Sequence, residues 1–148
     1  MGDTQDWGAC QSVGVPECDA DHADLLALAR ALRSALNDHA PATEVQALLD
    51  DLLEQTLGHF EREERMLANE GYPELARHIS SHNRLLRAML HFKEDVRYAR
   101  YRSDVAVKFI HAWVVEHVRV EDARYGAFLR ERRAEQATES PSALSPRA

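Results

Sequence analysis

The chain has 148 residues, which suits one domain with room to bury a core without disulfide staples. Hydrophobic residues make up 45% and charged residues 29%, the balance of a soluble globular protein, and the formal net charge of -7 argues against nucleic acid as a partner. No apolar run approaches the ~20 residues of a membrane span, and the opening MGDTQDWGACQSVGV lacks the basic and apolar regions of a secretory signal.

Few glycines and prolines interrupt the chain, and strand-like alternation is absent. Four long helices with short connections are therefore expected, giving an all-α, up-down-up-down antiparallel four-helix bundle. Residues 1–18 lack a strong period and read as an N-terminal arm. The first helix runs from about Asp19, a candidate N-cap, to Asn37, with the stripe His22, Leu25, Ala29, Leu32, Leu36. The second runs from about Glu44 to Asn69. It opens on TEVQ (Thr43–Gln46), the pattern of a capping box, and stops at Gly71. Its stripe is Val45, Leu49, Leu52, Thr56, His59, Glu63, Met66. The third begins at Pro73, a residue suited to a first helical turn, and reaches about Ala99. Its stripe is Leu75, His78, His82, Leu85, Met89, Phe92, Val96. The fourth starts after Ser103 and ends near Arg133, its stripe opening Val107, Ile110, Val114, His117. The bundle and its arm thus span 1–133, and AEQATESPSALSPRA (134–148), small and polar with two prolines, is expected to be a disordered tail.

The stripes contain residues that do not belong in a plain core. Histidines and a glutamate fall in register with the leucines on three helices, and buried charges need partners or a metal. The fourth helix adds a second anomaly. Continued at regular spacing beyond His117, its stripe reaches Glu121 and Arg124; stepped once by five, it reaches Asp122, Tyr125 and Leu129 and is apolar again. A slip of one residue is what a π-bulge supplies, so a π-turn is expected between His117 and Asp122, aiming both inward.

The inward polar set is His22, His59, Glu63, His78, His82, His117 and Asp122. Side chains four apart stand ~5–6 Å from each other on a helix face, so His59–Glu63 and His78–His82 each deliver two donors to one place. Seven donors exceed the shell of one zinc ion, and two metals sharing the carboxylates fit better. Imidazole suits iron, copper and zinc; carboxylate bridges suit iron and manganese.

The pieces DADH (Asp19–His22), HFEREE (His59–Glu64), HISSH (His78–His82) and HVRVED (His117–Asp122), in this order on four helices, resemble the hemerythrin family in its single-domain bacterial form. Trp7 with SVGV (Ser12–Val15), and EGYPE (Glu70–Glu74), are similar to the family's N-terminal arm and inter-helix turn. The resemblance covers about residues 7–130. It implies a non-haem di-iron centre with an oxo or hydroxo bridge. His78, His82 and His117 would hold one iron, His22 and His59 the other, and Glu63 and Asp122 would bridge them. Dioxygen would bind at the open position beside His22 and His59, walled by Leu25, Phe60, Trp113, Val114 and Val120. The chain has more imidazoles and fewer carboxylates than a ferritin-like oxidase site, which favours holding dioxygen over cleaving it.

Reversible dioxygen binding for storage, delivery or scavenging is the leading expectation. A di-iron peroxidase, nitric-oxide reductase or ferroxidase, a sensor module, and a structural zinc or manganese bundle are the rivals. His39, His91 and His111 fall outside the stripes and read as surface residues, and Glu64 and Glu121 as solvated. Tyr125 reads as core, with a partner role to the cluster as the alternative. Cys10 and Cys18 make neither a metal-type pair nor a disulfide framework, which fits a reducing cytoplasm.

Overall fold

The computed structural model describes residues 12–139. They form four antiparallel helical rods, with no strand among the described residues. The rods are α1 (Pro16–Asn37), α2 (Ala42–Asn69), α3 (Leu75–Arg97) and a fourth built from several pieces. That fourth rod runs as α4 (Ser103–His111), π-turns at Ala112–Glu116 and Val118–Asp122, and α5 (Ala123–Glu139). None of these helices is long and apolar enough to cross a membrane. Trp7, Cys10 and residues 140–148 lie outside the described part.

The helix starts differ from the expected ones. Proline at the first helical position opens α1 three residues before Asp19. Asp19 is not the cap; its carboxylate accepts from Ser12 Oγ (2.6 Å) and the Val13 amide (2.8 Å), tying the arm to the first turn. At α2 the expected capping box does not form. The helix starts at Ala42, no side chain caps it, and the Pro41 carbonyl accepts from the Glu44 and Val45 amides. Pro73 and Glu74 form a turn before α3 instead of its first residues. The fourth rod continues beyond Arg133 to Glu139, so the first part of the stretch expected as tail is helical.

The first three rods end the same way. In each, a residue in the left-handed region lets two amides reach back to the last turn, as in a Schellman motif. Gly71 (φ 68°) does this after α2, with Gly71 N–H to Ala68 O and Tyr72 N–H to Leu67 O. His39 (φ 52°) does it after α1, and Ala99 (φ 50°) after α3, both carrying a side chain where glycine is favoured.

Two apolar clusters hold the bundle, one above and one below a polar layer. The larger contains Leu25, Leu32, Leu36, Leu49, Leu52, Met89, Phe92, Val96, Ile110 and Trp113. Each fully buried leucine among them contributes roughly 1.5–3 kcal/mol. The smaller contains Val13, Cys18, Leu67, Tyr72, Tyr125 and Leu129. The arm belongs to the smaller one. It lies so close to α5 that a Cβ on Gly126 would stand 3.2 Å from the Val13 carbonyl oxygen. Along every rod the residues between the two clusters are the polar ones of the stripes.

Candidate metal centre

Each rod contributes to that layer. Regular helix places His22 on α1, His59 and Glu63 on α2, and His78 and His82 on α3, all buried. The fourth rod brings His117 and Asp122 to the same layer across the π-turn Val118–Asp122. The expected turn is present, and π geometry also extends upstream to Ala112. The extra residue is what keeps His117, Asp122, Tyr125 and Leu129 all facing inward.

Glu63, fully buried, is the hub. Its Oε1 contacts His78 Nε2 closely and lies 3.2 Å from His82 Nε2. Its Oε2 lies 3.0 Å from His59 Nε2 and 3.6 Å from His22 Nε2. Asp122 Oδ2 lies 3.0 Å from His22 Nε2, and its Oδ1 lies 3.3 Å from His117 Nε2 and 3.4 Å from His78 Nε2. The ligand-type atoms sort into two groups, each within 4.8 Å across: Glu63, His78, His82, His117 and Asp122, and His22, His59, Glu63 and Asp122. The two carboxylates belong to both.

Most of these approaches are short without being hydrogen bonds. His22 Nδ1 and Nε2, the Nε2 atoms of His59, His82 and His117, and both Asp122 oxygens are buried with no hydrogen-bond partner. Buried polar atoms normally have one. Here all but His22 Nδ1 converge on shared points instead, and a cation at those points would satisfy them together. The donor set is able to hold metal, in two groups that share Glu63 and Asp122.

Without a cation the layer is strongly polarised. Burial alone would lower the His22 pKa, but the Asp122 and Glu63 carboxylates outweigh it and push it up to about 9. Burial likewise opposes and Glu63 overcomes it at His59 and His78, both raised. Burial would raise Glu63, yet the surrounding imidazoles hold it well below the ordinary carboxylate range. The Cys18 thiol is pushed up to about 12 by burial and by the Glu63 charge.

Several residues placed elsewhere by sequence reasoning take part in the site. Glu64, expected to be solvated, puts Oε1 2.7 Å from His82 Nδ1. Asp21, not singled out, puts Oδ2 2.9 Å from His59 Nδ1, and Arg62 grips that carboxylate through Nε and Nη2. Ser81 Oγ lies 3.5 Å from His117 Nδ1. Carboxylates and hydroxyls in these places fix which ring nitrogen faces the centre. Tyr125 is both core and partner, since its buried hydroxyl donates to Glu63 Oε2 at 2.9 Å. His111 is a correction: it is buried, with Glu116 Oε1 3.7 Å from Nδ1, while His39 and His91 are exposed as expected. Glu121 is also not simply solvated, being partly buried near Arg77 and Arg124.

A cavity of about 10 Å³, the size of one small molecule, opens onto His59, His117 and Asp122. Leu25, Phe60, Trp113 and Val114 line it, with Thr56 and Val118. Val120, expected there, is 50% exposed and borders an outer groove. The frame slip explains the exchange, because Val118 stands one turn before Asp122 and faces inward with it. Phe60 also stacks on His82 with ring centroids 3.6 Å apart, fixing that imidazole from the cavity side.

Comparison with known proteins agrees with this geometry. The profile of the family described as "Hemerythrin HHE cation binding domain" matches residues 13–129. A bacteriohemerythrin of Stenotrophomonas maltophilia is 23% identical over 119 residues, covering 80% of this chain and 77% of that protein. A hemerythrin-like protein of Naegleria gruberi is 28% identical over 123 residues, covering 83% and 92%. The crystal structure of a wild-type hemerythrin superposes with a TM-score of 0.71 at 21% identity, covering 84% of this chain and 95% of that one.

Proposed function

We propose that this chain, which belongs to the hemerythrin family, holds two iron ions in its polar layer and binds dioxygen there reversibly. One observation carries the reading. Two overlapping donor groups share Glu63 and Asp122, and all their other members are imidazoles. His78, His82 and His117 hold one iron, and His22 and His59 the other. Bound there, a ferrous pair would supply the redox chemistry for holding dioxygen.

The remaining work falls to the chain's own groups. Tyr125 donates to Glu63 Oε2 and so fixes the shared carboxylate from the side of the smaller apolar cluster. Leu25, Phe60, Trp113, Val114 and Val118 keep water from the cavity beside His59. Asp21 and Glu64 hold His59 and His82 with Nε2 turned to the metals. The neutral imidazoles keep the centre less anionic than a carboxylate-rich one, which favours release of dioxygen over its cleavage. Storage, delivery or scavenging of dioxygen in the cytoplasm accords with this chemistry and with Cys18 as a free buried thiol.

The test is spectroscopic. The purified protein is assayed for iron, reduced without air, then exposed to air while its visible spectrum is recorded. A charge-transfer band that appears with dioxygen and bleaches on its removal is expected. Irreversible oxidation with turnover of peroxide or nitric oxide would show an enzyme instead, and a colourless protein without iron would end the reading.

A further inference from the structure

The two halves of the centre differ in what stands behind their histidines. Behind His59 is Asp21, and Arg62 closes on it with Nε 3.1 Å from Oδ2 and Nη2 2.9 Å from Oδ1. Behind His82 is Glu64, its Oε1 2.7 Å from Nδ1, while Arg62 pairs with Asp21 alone of the two carboxylates through Nε and Nη2. A carboxylate accepting from the outer ring nitrogen raises the basicity of the imidazole, and so its strength as a ligand. A guanidinium paired in two places with that carboxylate takes back part of the effect.

The backbone is cleared for the arginine. Gly58 stands one turn before Arg62, and a Cβ there would come within 3.1 Å of Arg62 Nη1. Glycine inside a helix weakens it. In α2 it leaves the surface over which the guanidinium lies to reach Asp21 on α1.

We propose that Arg62 is a positioning residue that acts through Asp21 on His59, and that it makes the His22–His59 half the weaker metal holder of the two. The inference rests on the two-metal reading above. The other half, with Glu64 behind His82, has three imidazoles against two. Metal therefore enters in two unequal steps and leaves first from the His22–His59 half.

Cobalt(II) added to metal-free protein at fixed pH, followed by absorption and calorimetry, tests this. The unaltered protein should take two cobalt ions in unequal steps, and His59→Ala should erase the weaker one. Arg62→Gln should tighten that step roughly three- to tenfold, a modest effect for a half-exposed charge, and leave the stronger step alone. Arg62→Lys keeps the charge and should stay closer to the unaltered protein. Asp21→Asn should loosen the weaker step by about 10- to 100-fold. An arginine that merely ties α1 to α2 predicts the opposite sign. A weaker step left unchanged or loosened in Arg62→Gln overturns the inference, as does a lysine variant that tightens as much as the glutamine one. Fewer than two cobalt ions in the unaltered protein would overturn the two-metal reading itself.

Discussion

His78 and His82 reach the centre from four residues apart on an unbroken α-helix, whereas His117 and Asp122 reach it from five residues apart across a π-turn. Regular helix gives α3 a histidine pair and an apolar stripe on one face without special geometry. In the fourth rod the same face must serve both ends, with Ile110 and Val114 above and Tyr125 and Leu129 below. One extra residue between them is absorbed by widening the helix, and Asp122 is the residue that gains an inward place. A ligand pair on a regular helix is bound into the register of everything around it. A pair on a π-turn carries a spare residue.

Deleting one exposed residue from each rod sets the two against each other. Loss of Ser80 turns His82, Met89, Phe92 and Val96 by about 100° away from the core. We expect loss of the fold, on the order of 5 kcal/mol or more. Loss of Val120 should return the turn to α-helix with Tyr125 and Leu129 still inward, and the protein should stay folded. Thermal melts by circular dichroism check both. Equal damage from the two deletions would mean the fourth rod holds no spare residue.

The contact between regular α1 and the π-turn is the next place to press. His22 and Asp122 meet at 3.0 Å, and in metal-free protein the imidazole is raised to about 9 against burial. A raised histidine stabilises fully below its unfolded value near 6.5, and the gain is lost as pH rises through 9. The stability of metal-free protein should therefore fall between those values by up to about 3 kcal/mol, read from urea melts across the pH range. Asp122→Asn should flatten the fall; an unchanged slope would show that the π-turn does not deliver its carboxylate to α1.

Tyr125→Phe probes the frame just past the turn. It removes the donor to Glu63 Oε2 while keeping the ring, and should cost about 1–2 kcal/mol in urea unfolding. A neutral result would place the hydroxyl outside the hub's support. The smallest expected effect lies at the end of α3, far from any irregular turn. Ala99→Gly relieves a left-handed residue and should raise stability by roughly 0.5–1 kcal/mol, against a loss for Gly71→Ala.

The bundle and its polar layer were legible because both follow from spacing. Leucines and histidines shared one period, and the slip after His117 exposed the π-turn. What escaped was what periodicity does not encode. Asp21 and Glu64 sit beside the inward residues, and their side chains reach round to the outer ring nitrogens; the rule that a ligating histidine needs a partner on its far nitrogen would have found them. His111 lies one turn after Val107, so the stripe itself could have placed it inside. Val120 was placed in the pocket by the family resemblance, whereas in this chain's helical frame it faces outward and Val118 lines the cavity. The helix ends at His39 and Ala99 carry no glycine, and only the backbone shows their left-handed residues.

The arm has a consequence for how the protein is made. Arg133 Nη1 donates to the Gly14 carbonyl at 2.7 Å, joining residues 119 positions apart, and Val13 rests on Gly126 between them. The chain leaves the ribosome from its N-terminus. Five of the seven donors emerge well before His117 and Asp122, and the arm waits longest for its seat on α5. A nascent chain can thus collect imidazoles around Glu63 while one side of the layer is still open. Only when the last rod arrives does the bundle close, so the event that completes the donor set is also the one that seats the arm.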